Sequence, residues 1–194
     1  LCLGYATRLS EYLLEQTKEY CAVIRFGQTT DSYDADGEVT STNPVNIGLA
    51  EVTNALHQFR GEINQIPPVF SAKKHSGKRS YKLAREGKTV RMRARRVRID
   101  KLHAIDFENA DVTLELSCSA GTYVRSLAQD FGQVLGCGAH LVSLRRTAVG
   151  KFSIQQAHTT KELESEFVSG LGKRHVLPPG EALSDWPEIM LRGE

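Results

Sequence analysis

The sequence predicts a mixed α/β or α+β fold built on a β-sheet, because strand-like segments with hairpin-like neighbours are interrupted by helices. Segments 97–107 and 111–119 have the composition of strands and are separated by a three-residue turn. In the second segment Val112, Leu114 and Leu116 alternate with polar residues, which is typical of a strand buried on one face. A strongly amphipathic helix follows directly, and a helix bundle is therefore disfavoured.

That helix is predicted by six apolar residues spaced three and four positions apart, which form one stripe along its side. Thr122 stands where an N-cap residue is expected, and Gly136 ends the pattern. The stripe consists of Val124, Leu127, Ala128, Phe131, Val134 and Leu135.

The elements before this helix are predicted from composition and spacing. Residues 9–14 have the character of a helix end, and the β-branched and aromatic residues of 20–27 predict a strand. Residues 30–37 have turn chemistry. A helix is expected at 48–59, where apolar side chains recur at helical spacing. The segment Gln65-Ile-Pro-Pro68 excludes both a helix and a central strand.

Fewer elements are predicted in the rest of the chain. A short basic helix is expected at 80–86, a strand at 141–154 and a last amphipathic helix at 159–167. From Pro178 onward the composition predicts a linker that leaves the domain. No internal repeat or low-complexity stretch is present.

The charge of the chain is concentrated in one segment. The net charge is only +2, but twelve of the 25 Lys and Arg residues lie between Lys73 and Arg98, together with one acid, Glu86. The remaining residues hold thirteen basic and 22 acidic side chains, a net charge of −9. A solvated basic loop is one interpretation. The apolar residues interleaved through the segment favour a folded surface that contacts nucleic acid.

The cysteine and histidine patterns predict no disulfide and no metal site. Cys2, Cys21, Cys118 and Cys137 show no paired spacing, so free, buried thiols in a reducing cytoplasm are expected. No histidine lies near a cysteine at metal-ligand spacing. No apolar run approaches the roughly 18–20 residues that span a bilayer, and the first residues do not resemble a signal peptide. A cytoplasmic location is therefore expected.

An acidic segment after the first strand invites comparison with a calcium loop. When the loop is counted from Ser32, Asp34 and Asp36 fall at ligand positions. The twelfth position is then Asn43 and not the bidentate Glu that such a loop uses. The segment also follows a strand instead of a helix, so a tight acidic turn is the preferred interpretation.

Arg125 occupies an unusual place for a cation. Residues 119–125 lead from a strand into the amphipathic helix, and the free N–H groups of the first turn of a helix favour anions. An arginine there is often held by a carboxylate or phosphate. A surface ion pair is the competing interpretation, and the segment alone does not identify a reaction.

A glycine-rich turn at 136–140 is followed by the basic sequence Leu144-Arg-Arg146. Either arginine is able to face phosphate or to close a salt bridge, and a structural hydrogen bond is the expected role of His140. No Ser/His/Asp or Cys/His arrangement and no G-x-x-x-x-G-K-[ST] loop is present. The residues alone therefore predict a mixed-sheet domain that binds RNA or DNA.

Eight segments, in order and over nearly the whole chain, give a specific resemblance to the tRNA pseudouridine-55 synthases of the bacterial TruB type. The Leu-Arg-Arg sequence and the segment around Arg125 are among them. The segments are 2–10, 30–37, 59–68, 71–74, 81–87, 121–127, 136–140 and 144–150.

The resemblance implies a pseudouridine synthase fold of the α+β class, with a mostly antiparallel mixed sheet flanked by helices. It implies an enzyme that flips a uridine of the tRNA T-arm out of its stack and isomerises it to pseudouridine, without cofactor or metal. The family nucleophile is an aspartate, which is expected before Leu1. No aspartate of this chain is expected to replace it, so the chain by itself is expected to be inactive.

Individual residues match functional positions of the family. Tyr20 matches the tyrosine that stacks on the flipped base and is a candidate for proton transfer. Arg125 matches the arginine that pairs with the catalytic carboxylate and keeps it ionised. Tyr123 and Leu144 match positions that line the uracil pocket, and Asp34 matches a polar residue near the substrate entrance.

The resemblance also implies how the chain is organised and how it holds RNA. The catalytic domain is expected over 1–177, incomplete at its N-terminus, with a basic RNA-gripping insertion at 71–98. Residues 178–194 are expected to be a linker toward a C-terminal RNA-binding domain, and the protein is expected to be a monomer. The insertion is expected to contact the backbone of the T-arm through Lys74, Lys78, Arg79, Lys82 and Arg85.

Three alternatives remain open. The first is the archaeal and eukaryotic relative that works in a guide-RNA particle, although the unbroken segment 81–87 and the absence of lysine-rich tails favour the stand-alone bacterial form. The second is a non-catalytic tRNA-binding module or tRNA chaperone. The third is a structural domain with a solvated basic loop.

Overall fold

The computed structural model describes residues 1–70, 74–75, 78–79 and 92–187. The strands of these residues are numbered in chain order. They are β1 (Lys18–Phe26), β2 (Gln28–Thr30), β3 (Val39–Thr42), β4 (Gly61–Gln65), β5 (Lys74–His75), β6 (Lys78–Arg79), β7 (Arg95–Glu108), β8 (Asp111–Cys118), β9 (Ala139–Val149) and β10 (Phe152–Ser153).

Six of these strands form one antiparallel sheet in the order β10-β9-β1-β8-β7-β4. The pairs β2-β3 and β5-β6 form two small antiparallel sheets. The predicted hairpin is present, because β7 and β8 pair across the turn at Asn109 and Ala110, both of which have positive φ. The sheet is accordingly antiparallel, and the predicted α+β class is confirmed.

The described helices fall into two groups. Helices α2 (Leu49–Leu56) and α3 (Val124–Val134) bury one face, whereas α1 (Ser10–Glu15) and α4 (Thr160–Val168) contain no buried residue. Short 3₁₀ helices complete the helical structure, at Gly4–Leu9, His57–Phe59, Ile154–Gln156, Gly172–His175 and Pro179–Leu183. The helix expected at 80–86 lies outside the described residues.

The core lies between α2, α3 and one face of the large sheet. In β1 the alternate residues Ala22, Ile24 and Phe26 are buried, because successive side chains of a strand point to opposite faces. The ring of Phe131 on α3 contacts Phe26 edge-on, with a centroid distance of 5.2 Å. We call this side of the sheet the helix face and the other side the outer face.

Helix α3 lies very close to the start of β9. A Cβ at Gly132 would stand 2.1 Å from the amide nitrogen of Ala139. Gly138 N–H also donates to the Gly132 carbonyl over 3.0 Å. A glycine is therefore required at position 132, and the contact fixes the last turn of α3 relative to the start of β9.

The beginning of α3 differs from the prediction. The N-cap residue is Tyr123 and not Thr122, whose hydroxyl instead donates to the Ser119 carbonyl over 2.9 Å. The predicted stripe is also shorter than expected, since Val134 is exposed. The turn that precedes the helix therefore uses Thr122 to stabilise itself.

The predicted strand 141–154 is interrupted. It divides into β9 and β10 at the turn of Gly150 and Lys151, where Gly150 has a φ of 52°. The segment 9–14, which was predicted to be only the end of a helix, contains nearly the whole of α1. Both differences arise because apolar composition does not define where a strand or helix begins and ends.

The residues expected to form a linker pack back onto the domain as far as they are described. Lys151 Nζ donates to the Ser184 hydroxyl over 2.5 Å and to the Glu181 carbonyl. The ring of Trp186 contacts that of Tyr12 on α1 edge-on, at a centroid distance of 5.5 Å.

Candidate active site

A partly buried ion pair joins α3 to the acidic loop. Arg125 Nη1 lies 2.9 Å from Asp34 Oδ2, and the two side chains are 25% and 23% exposed. The same nitrogen donates to the Ser32 carbonyl over 3.3 Å. This carboxylate satisfies the cation at the helix N-terminus, where the macrodipole disfavours it. A carboxylate of the same chain therefore holds Arg125, and the expected pairing of Arg125 with a catalytic carboxylate stays a prediction.

The second oxygen of Asp34 is bonded within the loop. Asp34 Oδ1 accepts from the Ser32 hydroxyl at 2.5 Å and from the Asp36 amide at 3.2 Å. Since both oxygens already accept hydrogen bonds, Asp34 orients Arg125 and is poorly suited to act as a nucleophile. The acidic segment is thus an internally bonded turn, as expected.

The acidic loop is attached to β9. Leu141 N–H donates to the Tyr33 carbonyl over 3.0 Å, and Ala35 N–H donates to the Leu141 carbonyl over 2.9 Å. Tyr33 has a φ of 66°, an uncommon conformation for a residue other than glycine. The loop thereby places Asp34 beside Leu141 of β9, and Leu141 precedes Leu144 by three residues.

The first turn of α3 is also held by the segment that follows β4. The side chain of Gln65, which is 1% exposed, donates to the Tyr123 carbonyl over 3.0 Å and accepts from the Tyr123 amide over 2.7 Å. Ser126 Oγ donates to the Ile66 carbonyl over 2.7 Å. Arg125 Nη2 donates to the Phe70 carbonyl over 2.8 Å.

Gln65 is a site residue that the sequence analysis missed. Its side chain bonds the backbone amide and carbonyl of the N-cap residue Tyr123, from 58 positions away in the chain. The available signal was a glutamine directly before Ile-Pro-Pro, at a point where the backbone must leave the sheet. That signal does not identify the partner of the glutamine.

Strand register brings Tyr20 and Leu144 to the same part of the helix face. Leu144 pairs with Ala22, and Tyr20 pairs with Arg146. Residues directly opposite each other on neighbouring strands share a face of the sheet. Leu144 is 45% exposed there, although Ala22 beside it is fully buried. An exposed leucine on a helix-covered face fits a position that contacts a ligand.

Burial and charge act in opposite directions on Tyr20. Burial raises the pKa of its phenol, and Cys118 adds to this effect, whereas the charge and hydrogen bond of Arg146 lower that pKa. The hydroxyl is therefore partly withdrawn from water and has a cationic neighbour.

Lys18 lies two residues from Tyr20 on the same face and has a structural role. It is 8% exposed, and its ammonium donates to the Gln16 carbonyl over 2.6 Å and to the Leu14 carbonyl at the end of α1. Burial lowers the pKa of this amine, and the charge of Arg146 lowers it further. The lysine therefore stabilises the C-terminus of α1.

A polar groove of about 320 Å³ lies on the outer face and does not contain the Arg125–Asp34 pair. Its lining mixes acidic side chains such as Glu19 and Glu115 with the basic side chains of Lys101 and His103. The mixture indicates no ligand of a particular charge.

The structure also tests the predictions for His140 and for the four cysteines. His140 is 5% exposed and its Nδ1 lies 3.1 Å from the Gln28 carbonyl, which confirms a structural hydrogen bond. All four cysteines are free, but only Cys118 and Cys137 are buried, so the expectation of burial was wrong for Cys2 and Cys21.

Three statements apply to the described part of the chain alone. It contains no group of three or more His, Cys, Asp or Glu residues placed to hold a metal. None of its helices has the length and apolar character needed to cross a membrane. Lys82 and Arg85 lie outside it, and for Lys74, Lys78 and Arg79 it gives the backbone strands β5 and β6 only.

The arrangement is suited to holding a flat, neutral ring beside a carboxylate. Tyr20 provides an aromatic face and Leu144 provides an apolar surface. Arg125 provides a fixed cation, because its guanidinium is bonded both to the acidic loop and to the segment 65–70. A cation fixed in this way is able to keep a neighbouring carboxylate ionised.

Comparison with protein families matches residues 1–184 to one kind of protein. Residues 1–124 match the family described as TruB family pseudouridylate synthase (N terminal domain). Residues 125–184 match the tRNA pseudouridylate synthase B C-terminal domain.

Curated relatives named tRNA pseudouridine synthase B are similar along nearly the whole chain. Those of Pseudomonas putida (strain GB-1) and Pseudomonas aeruginosa (strain UCBPP-PA14) are 44% and 45% identical over 194 residues. Each comparison covers 98% of this chain and 64% of the relative, so the chain spans less than two thirds of the length of these relatives.

Solved structures share the fold. A chain of a Cbf5-Nop10-Gar1 complex superposes with a TM-score of 0.71 at 25% identity, over 93% of this chain and 47% of that chain. A chain of an H/ACA RNP bound to a substrate RNA containing 2'-deoxyuridine has a TM-score of 0.67 at 23% identity, over 93% and 46%, which shows the fold alone. The bacterial relatives are the more similar in sequence.

Proposed function

Because the chain belongs to the TruB family of pseudouridylate synthases, we propose that it is the catalytic part of an enzyme that converts a T-arm uridine of tRNA to pseudouridine. The observation that carries the proposal is the Arg125–Asp34 ion pair, at 2.9 Å, in a loop bonded to Leu141 of β9. The register of the same strand places Leu144 and the partner of Tyr20 on the helix face. The chain spans 64% of its relatives, so the activity is assigned to the complete protein.

The reaction breaks the bond between uracil N1 and ribose C1′ and forms a bond between C5 and C1′. The uracil must turn without leaving, which requires a site with flat and apolar walls. Tyr20 supplies a stacking surface, and Leu144 and Tyr123 line the pocket. The hydrogen that was on C5 leaves as a proton, and N1 of the uracil takes up a proton, so the product is an isomer of the substrate.

Arg125 is the residue that pairs with the nucleophilic carboxylate. The family aspartate, expected before Leu1, forms and later releases a covalent bond to the nucleoside. Arg125 keeps this carboxylate ionised and orients it, while Asp34 holds Arg125 in place from the other side. Asp34 thus acts at the entrance of the site through Arg125.

The basic segment is assigned to the backbone of the T-arm because it has eleven net positive charges over 26 residues of sequence, from Lys73 to Arg98. Each phosphate contact releases counterions, so binding weakens as salt rises. Replacing Lys78, Arg79 and Lys82 together by Gln should reduce the slope of log K against log salt by about 2–3. An unchanged slope would remove the segment from the RNA contact.

Direct detection of the product tests the proposed activity. The complete protein is incubated with an unmodified tRNA transcript, and pseudouridine is located by carbodiimide labelling and primer extension. The expected result is one modified uridine in the T-arm, and none in a transcript that carries cytidine at that position.

A transcript that is bound but stays unmodified at excess protein would contradict the activity and support the alternative of a tRNA-binding module or chaperone. Weak binding that does not depend on tRNA folding would support the structural domain with a solvated basic loop.

The proposal includes a monomeric, cytoplasmic protein with a catalytic domain over 1–177 that needs neither metal nor cofactor. Light scattering of the complete protein with and without tRNA tests the oligomeric state. Full activity after treatment with a chelator is the expected result for the metal.

A further inference from the structure

The side chains of Tyr20 and Arg146 are brought together by an irregularity of the sheet. The two residues are direct partners across β1 and β9, and the register shifts between Glu19 and Tyr20. The shift leaves Thr147 as an extra residue on β9, since Ala148 pairs with Glu19. Such bulges redirect side chains and occur often next to active sites.

We propose that Arg146 is a positioning residue, whose guanidinium holds the Tyr20 phenol and stabilises its anion, so that the phenolate oxygen takes the proton from C5 of the rotated uracil. When that proton moves to the Tyr20 oxygen, the electrons of the C5–H bond form the C5–C6 double bond of the product. The electrons of the C6–N1 double bond pass to N1, which takes up a proton from water. The phenol then returns its proton to water, so that atoms and charge balance. This inference rests on the proposed function.

The surroundings of the phenol agree with this role. Burial raises the pKa of Tyr20, which by itself would leave the group a poor base. Cys118 on β8 raises that pKa further, and the hydrogen bond and charge of Arg146 oppose both. Lys18 is the other cation on this face of β1, and its ammonium is bonded to the carbonyls that end α1.

The neighbouring arginine provides a matched comparison. Arg145 precedes Arg146 on β9, pairs with Cys21 and therefore lies on the outer face. Both arginines are exposed, so they contribute equally to the charge of the protein while only one of them faces Tyr20. An effect limited to Arg146 therefore comes from its contact and not from net charge.

The first experiment measures the ionisation of Tyr20 and requires no activity. Ultraviolet absorbance of the complete protein is recorded near 295 nm against pH, and subtraction of the Tyr20→Phe curve isolates this phenol. In the Arg146→Gln protein, the Tyr20 curve is isolated in the same way, by subtracting the curve of the Arg146→Gln/Tyr20→Phe double variant. Its midpoint should lie about one pH unit above the wild-type midpoint, because the shift that a close cation produces is lost. Arg145→Gln should leave the midpoint in place.

An unchanged midpoint in Arg146→Gln overturns the proposal. If this variant does not fold, Arg146→Lys keeps the charge but loses the planar guanidinium, and a smaller upward shift is expected. A tRNA affinity that falls in Arg146→Gln, with a salt slope lower by about one and an unchanged Tyr20 midpoint, would make Arg146 a phosphate contact instead.

The second experiment follows the proton itself. Under single-turnover conditions, tRNA with deuterium at uracil C5 should react more slowly than normal tRNA in Arg146→Gln, with a larger isotope effect than in wild type. The loss of rate should be about tenfold for each unit by which the Tyr20 pKa rises. An isotope effect equal to that of wild type contradicts the proposal. Failure of the proposed function is distinct, because the wild-type protein would then form no pseudouridine while the absorbance titration remained measurable.

Discussion

The two ends of the helix face are built from the same strands but differ in what covers them. Leu141 and Leu144 both lie on this face of β9, because a register shift between Val23 and Ile24 adds one residue to β9. Leu141 is 5% exposed among the residues of the core, whereas Leu144 is 45% exposed. Helices α2 and α3 fill the first end, and the residues that the structure describes leave the second end open.

The difference in exposure between Leu141 and Leu144 assigns stability to one end of β9 and the proposed function to the other. At the covered end, apolar surface is removed from water and stabilises the fold by about 25 cal/mol per Å². At the open end Tyr20, Leu144 and Arg146 leave unfilled surface that a substrate is able to cover. Substitutions at the two ends should therefore affect different measurements.

The largest expected effect is at the ion pair between Arg125 and Asp34. Arg125→Ala should lower turnover of the complete protein by about 10²–10³-fold, since a fixed charge is lost at the reacting groups. Affinity for tRNA should change by less than about threefold, because Arg125 orients a carboxylate and does not hold phosphate. Single-turnover rates and filter binding measure the two quantities.

A second arginine serves as the control for this substitution. Arg25 forms an ion pair with Asp111 at 2.7 Å on the outer face. Arg25→Ala should leave turnover within about twofold of wild type, as is usual for an exposed pair. Equal loss in both variants, or wild-type turnover in Arg125→Ala, would remove Arg125 from the active site.

Tyr20→Phe should retain tRNA binding and slow isomerisation by about 10²-fold or more, the usual contribution of proton transfer by a positioned side chain. The ring remains as a stacking surface, so only the hydroxyl is tested. Tyr12→Phe, which alters the contact with Trp186 instead, is the control. Wild-type rates in Tyr20→Phe would contradict a role for the phenol.

The paired substitutions Leu141→Ala and Leu144→Ala test the comparison directly. Leu141→Ala should reduce the free energy of unfolding by about 2–5 kcal/mol, because it leaves a cavity in the core. Leu144→Ala should cost less than about 1 kcal/mol, since the side chain is already half in water, while it lowers turnover. Urea denaturation measures the free energy of unfolding, and single-turnover rates measure the activity. A large loss of stability in Leu144→Ala, or a loss of turnover limited to Leu141→Ala, would contradict the difference between the two ends.

The smallest expected effect is at Gln65. In Gln65→Leu the amide of Tyr123 loses its hydrogen-bond acceptor, while its carbonyl still accepts from Leu127 N–H, and the free energy of unfolding should fall by about 1–3 kcal/mol. The exposed neighbour Asn64 provides the control, and Asn64→Leu should change stability by less than about 0.5 kcal/mol. Equal stability of the two variants would show that Gln65 does not hold the start of α3.

The local elements of this protein were predictable, and some of their ends were not. The strand at Tyr20, the β7-β8 hairpin and the apolar stripe of α3 each follow from residues close together in sequence. The N-cap of α3 was misplaced at Thr122, because the group that satisfies Tyr123 comes from Gln65. The division of β9 from β10 was missed for a related reason: the turn at Gly150 is held by a bond to the Thr17 carbonyl.

The candidate site shows the same limit. Its members Tyr20, Asp34, Arg125 and Leu144 were all predicted from the resemblance to the family. Their contacts were not, since the sequence assigned Arg125 to an aspartate expected before Leu1 and did not connect it with Asp34. The pairing of Tyr20 with Arg146 also depends on a one-residue bulge that alternation of residue types does not reveal.

The sequence by itself determined the fold class and the basic segment, and it predicted the residues of the candidate site, because these depend on periodicity, charge and family motifs that are local. The tertiary structure alone decided which end of the helix face stays open and which cations face Tyr20 and Asp34. Those properties depend on strand register and on contacts between distant segments, and a shift of one residue in register moves a side chain to the other face of the sheet.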